Sequence, residues 1–139
     1  MSSPHTFRDL LVWQESMCLV QEVYAVCATL PRDERFGLGA QLKRAAVSIP
    51  SNIGEGARRR RRLTFRYHLE VALGSQAEIE IQVEIARRLG CVDEATHRQV
   101  QERVETVGRL LNGLIDSLER QGAGLGGTTN HQLPTKACA

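Results

Sequence analysis

Six arginines fall within nine residues, Arg58, Arg59, Arg60, Arg61, Arg62 and Arg66, with no acid among them. The chemistry open to such a cluster is anion binding, because a guanidinium presents a planar fork of donors that matches a phosphate bidentately. Six of them neutralise up to about six phosphates, a log–log salt slope of about −5 on duplex DNA and about −4 on a single strand. Aromatic interleaving is thin, with only Phe65 and Tyr67 nearby. The pattern therefore supports phosphate contact without sequence readout, through RNA or DNA. Three readings need no ligand: a solvated helix end, a charged interhelical turn, or pairing with acids such as Glu55 and Glu70.

Other constellations are weaker. A di-iron bundle needs two Glu-x-x-His motifs and two further inward glutamates; this chain has one such motif, Glu94 to His97. The four cysteines, Cys18, Cys27, Cys91 and Cys138, form no C-x-x-C pair, so no metal or other cofactor is expected. No nucleophile elbow, Walker loop or dinucleotide fingerprint occurs. Ser75 has no base placed beside it by local sequence, and an enzyme ranks third among the readings. Ser48, Asn52, Glu55, Arg59 and Arg62 would share one helical face. For Ser48, Asn52 and Glu55 the reading preferred is a structural polar stripe that orients helices and satisfies the carbonyl freed by Pro50.

The elements that must position these residues are helical. Leu10, Trp13, Met17, Val20, Tyr24 and Cys27 repeat at heptad spacing and predict a first helix over about 8–29, with Thr6 or Asp9 as cap. Leu42, Ala46, Ile49 and Ile53 define a second over 38–58, with a kink expected at Pro50. Phe65, Leu69, Ala72, Gln76, Ile79, Val83 and Ala86 define a third over 63–89, stopped by Gly90. Ile81 and Ile85 lie off that stripe and point to a second packing partner. Val100, Val104, Val107, Leu111, Leu114 and Leu118 define a fourth over 94–121, capped by Asp93. With no strand-like alternation, the fold class is all-α, an antiparallel up-and-down four-helix bundle. Residues 122–139, with four glycines and no periodicity, read as a flexible tail.

Composition agrees with one globular domain, residues 1–121: the chain has 139 residues, 42% hydrophobic and 24% charged. Its formal net charge of +2 is local. Outside residues 58–66, 12 basic residues face 16 acidic ones, a balance of −4. The first ten residues lack the regions of a signal peptide and no apolar run is long enough to span a membrane. The expectation is a cytoplasmic protein with reduced thiols.

Three segments in this order, "FRDLLVW" (7–13), "LGAQLKRAAVSIPSNIGEG" (38–56) and "GSQAEIE" (74–80), resemble the four-helix bundle proteins linked to intervening sequences in 23S ribosomal RNA genes. The resemblance covers about residues 7–119. It implies a small all-α bundle and a homo-oligomer, with a pentamer favoured because some members form ring-like homopentamers. The family is similar in fold to the accessory variability determinants of diversity-generating retroelements, which bind nucleic acid and a reverse transcriptase. It implies no catalytic residue. Gly54 stands where the family often has alanine, and Leu73 where a basic residue commonly precedes the Gly-Ser pair. The leading expectation is a non-catalytic homo-oligomer that binds nucleic acid, RNA first, through Arg58 to Arg62 and Arg66. The rival is a protein-binding scaffold whose arginines form ion pairs at a subunit or partner interface.

Overall fold

A computed structural model describes residues 6–123; the segment read as a tail lies outside them from residue 124 onward. The described residues form four α-helices: α1 (Leu11–Thr29), α2 (Leu38–Arg58), α3 (Arg62–Arg88) and α4 (Glu94–Gly122). Each packs on its neighbour in sequence and α4 closes on α1, so the helices surround one core. The α2–α3 seam is the most extensive. The core centres on the fully buried Leu19, Leu42, Ile49, Ile53, Leu69, Ile79 and Leu111. No described helix is long and apolar enough to cross a membrane.

Local chemistry explains the boundaries. Thr6 and Asp9 form a reciprocal capping box, but around a 3-10 turn, Phe7–Asp9, and α1 itself starts only at Leu11. Gly90, at φ +76°, takes the left-handed conformation that ends α3. Asp93 caps α4: its Oδ1 accepts from the Thr96 amide at 2.7 Å, and that bond lowers the Asp93 pKa.

The apolar stripes read for α2, α3 and α4 face the core. The one read for α1 does not. Val12, Ser16, Leu19, Val23 and Val26 are buried instead, while Trp13 and Val20 sit at the flank and Met17 and Tyr24 are exposed. Both sets repeat at heptad spacing one residue apart, so α1 carries two apolar faces. Periodicity alone cannot say which one the bundle takes.

Helix α2 runs from Leu38 to Arg58 through the buried Pro50. The Ser48 hydroxyl does not serve the freed Ala46 carbonyl; it joins the contacts to α3 described below. Cys27 and Cys91 are free thiols.

Candidate nucleic-acid interface

The five consecutive arginines make the α2–α3 connection. Arg58 closes α2, Arg59 remains in right-handed helical geometry, Arg60 turns left-handed at φ +61°, and Arg61 is extended at φ −107°. The reversal is tight because α2 and α3 touch at their ends. A Cβ on Gly56 would lie 2.7 Å from the His68 Cβ, so only glycine admits this approach. All five arginines are exposed.

Their neighbours sort them into two groups. Arg59 pairs with Glu55 at 3.1 Å. Arg66, half-buried, reaches Glu119 on α4 at 2.6 Å and Glu70 at 3.4 Å. Arg58, Arg60, Arg61 and Arg62 have no acidic partner among the described residues; the Arg62 guanidinium lies over Gly122 at the end of α4. The sequence pattern groups six arginines, and folding commits two of them to carboxylates.

The field at this turn favours an anion. The first turn of α3 holds no acid, and its N-cap, Arg61, offers no side-chain acceptor. The partly positive amide end of α3 thus coincides with Arg61 and Arg62, an arrangement that is repulsive until a negative group enters. Arg58, at the carbonyl end of α2, sits where a cation is favourable. Two further arginines share this end of the bundle and escape a reading by runs. Arg8 lies 4.7 Å above the Phe7 ring, beside the C-terminal part of α2, and Arg120 is in the last turn of α4. Only the up-and-down topology brings both near the α2–α3 turn.

The polar stripe divides as well. Ser75 on α3 donates to the Ser48 hydroxyl at 2.9 Å, and the Asn52 amide donates to the same hydroxyl at 3.1 Å. Asn52 Oδ1 then faces His68 Nδ1 at 3.0 Å. Since the Asn52 nitrogen is engaged with Ser48, its oxygen accepts, and His68 carries a proton on Nδ1. Ser48 and Asn52 therefore tie α2 to α3, whereas Glu55 points outward to Arg59. Neither serine hydroxyl meets a base: each has the other, or an amide, as its partner. Glu94 pairs with Arg87 at 3.3 Å, and no group of three metal-ligating side chains occurs among the described residues.

Residues 8–113 match the sequence pattern of a family described as 23S rRNA-intervening sequence protein. In fold the chain is similar to a solved protein of unknown function from the S23 ribosomal protein family of Bacteroides thetaiotaomicron. The TM-score is 0.71 at 21% identity, covering 76% of this chain and 96% of that one. At that identity the likeness concerns the fold alone. No curated protein matches the chain.

Proposed function

The chain belongs to the 23S rRNA-intervening sequence protein family, and from that premise we propose that it is a non-catalytic, homo-oligomeric bundle that binds nucleic acid, RNA first, through its arginine turn. One observation carries this: Arg58, Arg60, Arg61 and Arg62 stand exposed, without acidic partners, around the uncapped amide end of α3. Phosphates offer these groups the counter-charge that no described side chain supplies. The reading takes RNA ahead of DNA because the family is described by an rRNA intervening sequence, and it takes a pentamer from the family resemblance.

The test is a salt titration of binding to RNA, single-stranded DNA and duplex DNA, by the wild type and by a variant with Arg58 to Arg62 changed to serine. Four uncommitted arginines give an expected log–log slope of about −3 on single strands and about −4 on a duplex. The variant should lose most of its affinity while keeping its helical circular dichroism. Equal binding by both proteins, or none at low salt, overturns the proposal. The alternative, a protein-binding scaffold whose arginines form ion pairs at a subunit or partner interface, draws support from Arg59 and Arg66 only by analogy, since both already pair with carboxylates of their own chain.

A further inference from the structure

Two apolar surfaces have no partner among the described residues, and they lie on different helices. The first is the outward face of α3, where Leu63, Tyr67, Val71, Ile81, Ile85 and Leu89 form one stripe opposite the core side. Ile81 is 60% exposed and Leu89 63%. The second is a cleft of about 550 Å³ along the α1–α2 seam, where Trp13, Met17 and Val20 face Val47, Pro50 and Gly54. It uses the second apolar face of α1, the one the core leaves over. Continuous apolar surfaces of this kind mark interaction sites.

Charge identifies the occupant. On α3, Glu70 is paired with Arg66, and Glu84 with Arg87 and Arg88, which leaves Glu78 and Glu80 as acids of this helix without a partner among the described residues. Glu78 sits within the stripe. Beside the cleft stand Lys43, held 4.9 Å above the Tyr24 ring, and the exposed Arg44; Arg58 and Glu55 line its end, and Glu55 is taken up by Arg59. Stripe on stripe would oppose acid to acid, and cleft on cleft would oppose base to base. Stripe on cleft matches both apolarity and sign.

The geometry points to a head-to-tail contact in which the α3 stripe of one copy seats in the α1–α2 cleft of the next, Glu78 meeting Lys43 and Arg44. Gly74 fits this arrangement. It interrupts α3 at a cost in helix stability, yet a Cβ there would meet nothing within 4 Å among the described residues; against a second copy, the bare backbone admits close approach. A contact between two different surfaces leaves one of each unused in every dimer, so it propagates, into a ring where the rotation closes and into a filament where it does not. The inference rests on the homo-oligomeric part of the proposed function and is independent of the nucleic-acid part.

Mixing two variants provides the test. Ile81→Asp with Ile85→Asp disables the stripe, and Met17→Asp with Val47→Asp disables the cleft. All four positions are exposed, and circular dichroism checks that each variant folds. Light scattering should show an assembled wild type, two monomeric variants of 15.5 kDa, and a 1:1 heterodimer of twice that mass on mixing, because one good stripe then meets one good cleft. A monomeric wild type, variants that assemble like the wild type, or a mixture that stays monomeric would each overturn the inference. A milder pair guards against misfolding. Glu78→Arg should weaken assembly about tenfold, and adding Arg44→Glu in the same chain should restore it; no loss, or no restoration, also counts against it. None of these readouts involves nucleic acid, so failure here leaves the arginine turn to its own experiment.

Discussion

Arg60 shows what one residue does at the turn. Its left-handed backbone, φ +61°, is a conformation glycine adopts freely and a side chain with a Cβ resists by about 1 kcal/mol. Arg60→Gly should therefore raise thermal stability by up to about 1 kcal/mol while weakening anion binding, a trade read by parallel melting and binding curves. A drop in stability would show that the Arg60 side chain makes a stabilising contact. At the other end of the bundle Glu84 accepts from Arg87 and Arg88, and these bonds, Arg87 first, lower its pKa from 4.5 to about 2. His97 Nε2 also lies 3.2 Å from Glu84 Oε1. Because the folded value is the lower one, the carboxylate contributes stability that is complete above about 4.5 and is lost as pH falls through about 2. Melting temperatures of the wild type and Glu84→Gln should differ near neutral pH and converge on acidification. Parallel curves would remove Glu84 from the acid response.

At the scale of elements, the α2–α3 hairpin depends on contact at its closed end. Gly56→Ala would drive a Cβ into the His68 Cβ, and neither atom lies at the end of a flexible chain. The helices must part, costing about 1–3 kcal/mol from overpacking, which exceeds the gain of about 1 kcal/mol in helix propensity. Net destabilisation in a denaturant titration is the expected result; a neutral outcome would mean the hairpin opens without strain. Elsewhere the elements are joined by polar groups whose partners no stripe reveals. Gln76 on α3 donates to the Val104 carbonyl at 3.0 Å and fills the space left by Gly108, and Arg103 on α4 clamps Glu15 and Glu22 of α1 at 3.0 Å each. These residues stand far apart in sequence, and only the packed bundle brings them together.

At the scale of the whole molecule, the connection order sets what an assembly could do. Up-and-down topology gathers the start of α1, the end of α2, the start of α3 and the end of α4 at one end, and so concentrates Arg8, Arg120 and the arginine turn there. A ring built by the proposed stripe-in-cleft contact would place that end of every copy on one rim. Guanidinium groups of adjacent copies brought within a Debye length of about 8 Å would repel one another, and a phosphate backbone following the rim would relieve them. The stripe and the cleft lie along the sides of the helices, leaving the rim open. Arg58 borders both the cleft and the turn; the other groups of assembly and binding fall to separate surfaces, and the mixing experiment leaves every arginine of the turn in place.

The sequence by itself determined the four helices, the fold class and the concentration of positive charge. These depend on short-range signals: heptad spacing, caps at Asp93 and Gly90, and a run of like residues. The core stripes of α2, α3 and α4 were legible for the same reason, since each helix has one dominant apolar register there. Helix α1 was not, because Leu10–Cys27 and Val12–Val26 offer two registers of equal spacing, and burial against α2 and α4 alone selects between them. Tertiary structure likewise decided which arginines are committed, turning Arg66 to Glu119 across 53 residues of chain and leaving Arg58 and Arg60–Arg62 facing solvent. Local pattern assigns a residue its helix face; only the folded chain sets its distance to a partner elsewhere in sequence, and that distance decides whether a charge is paired within the bundle or remains available to a ligand.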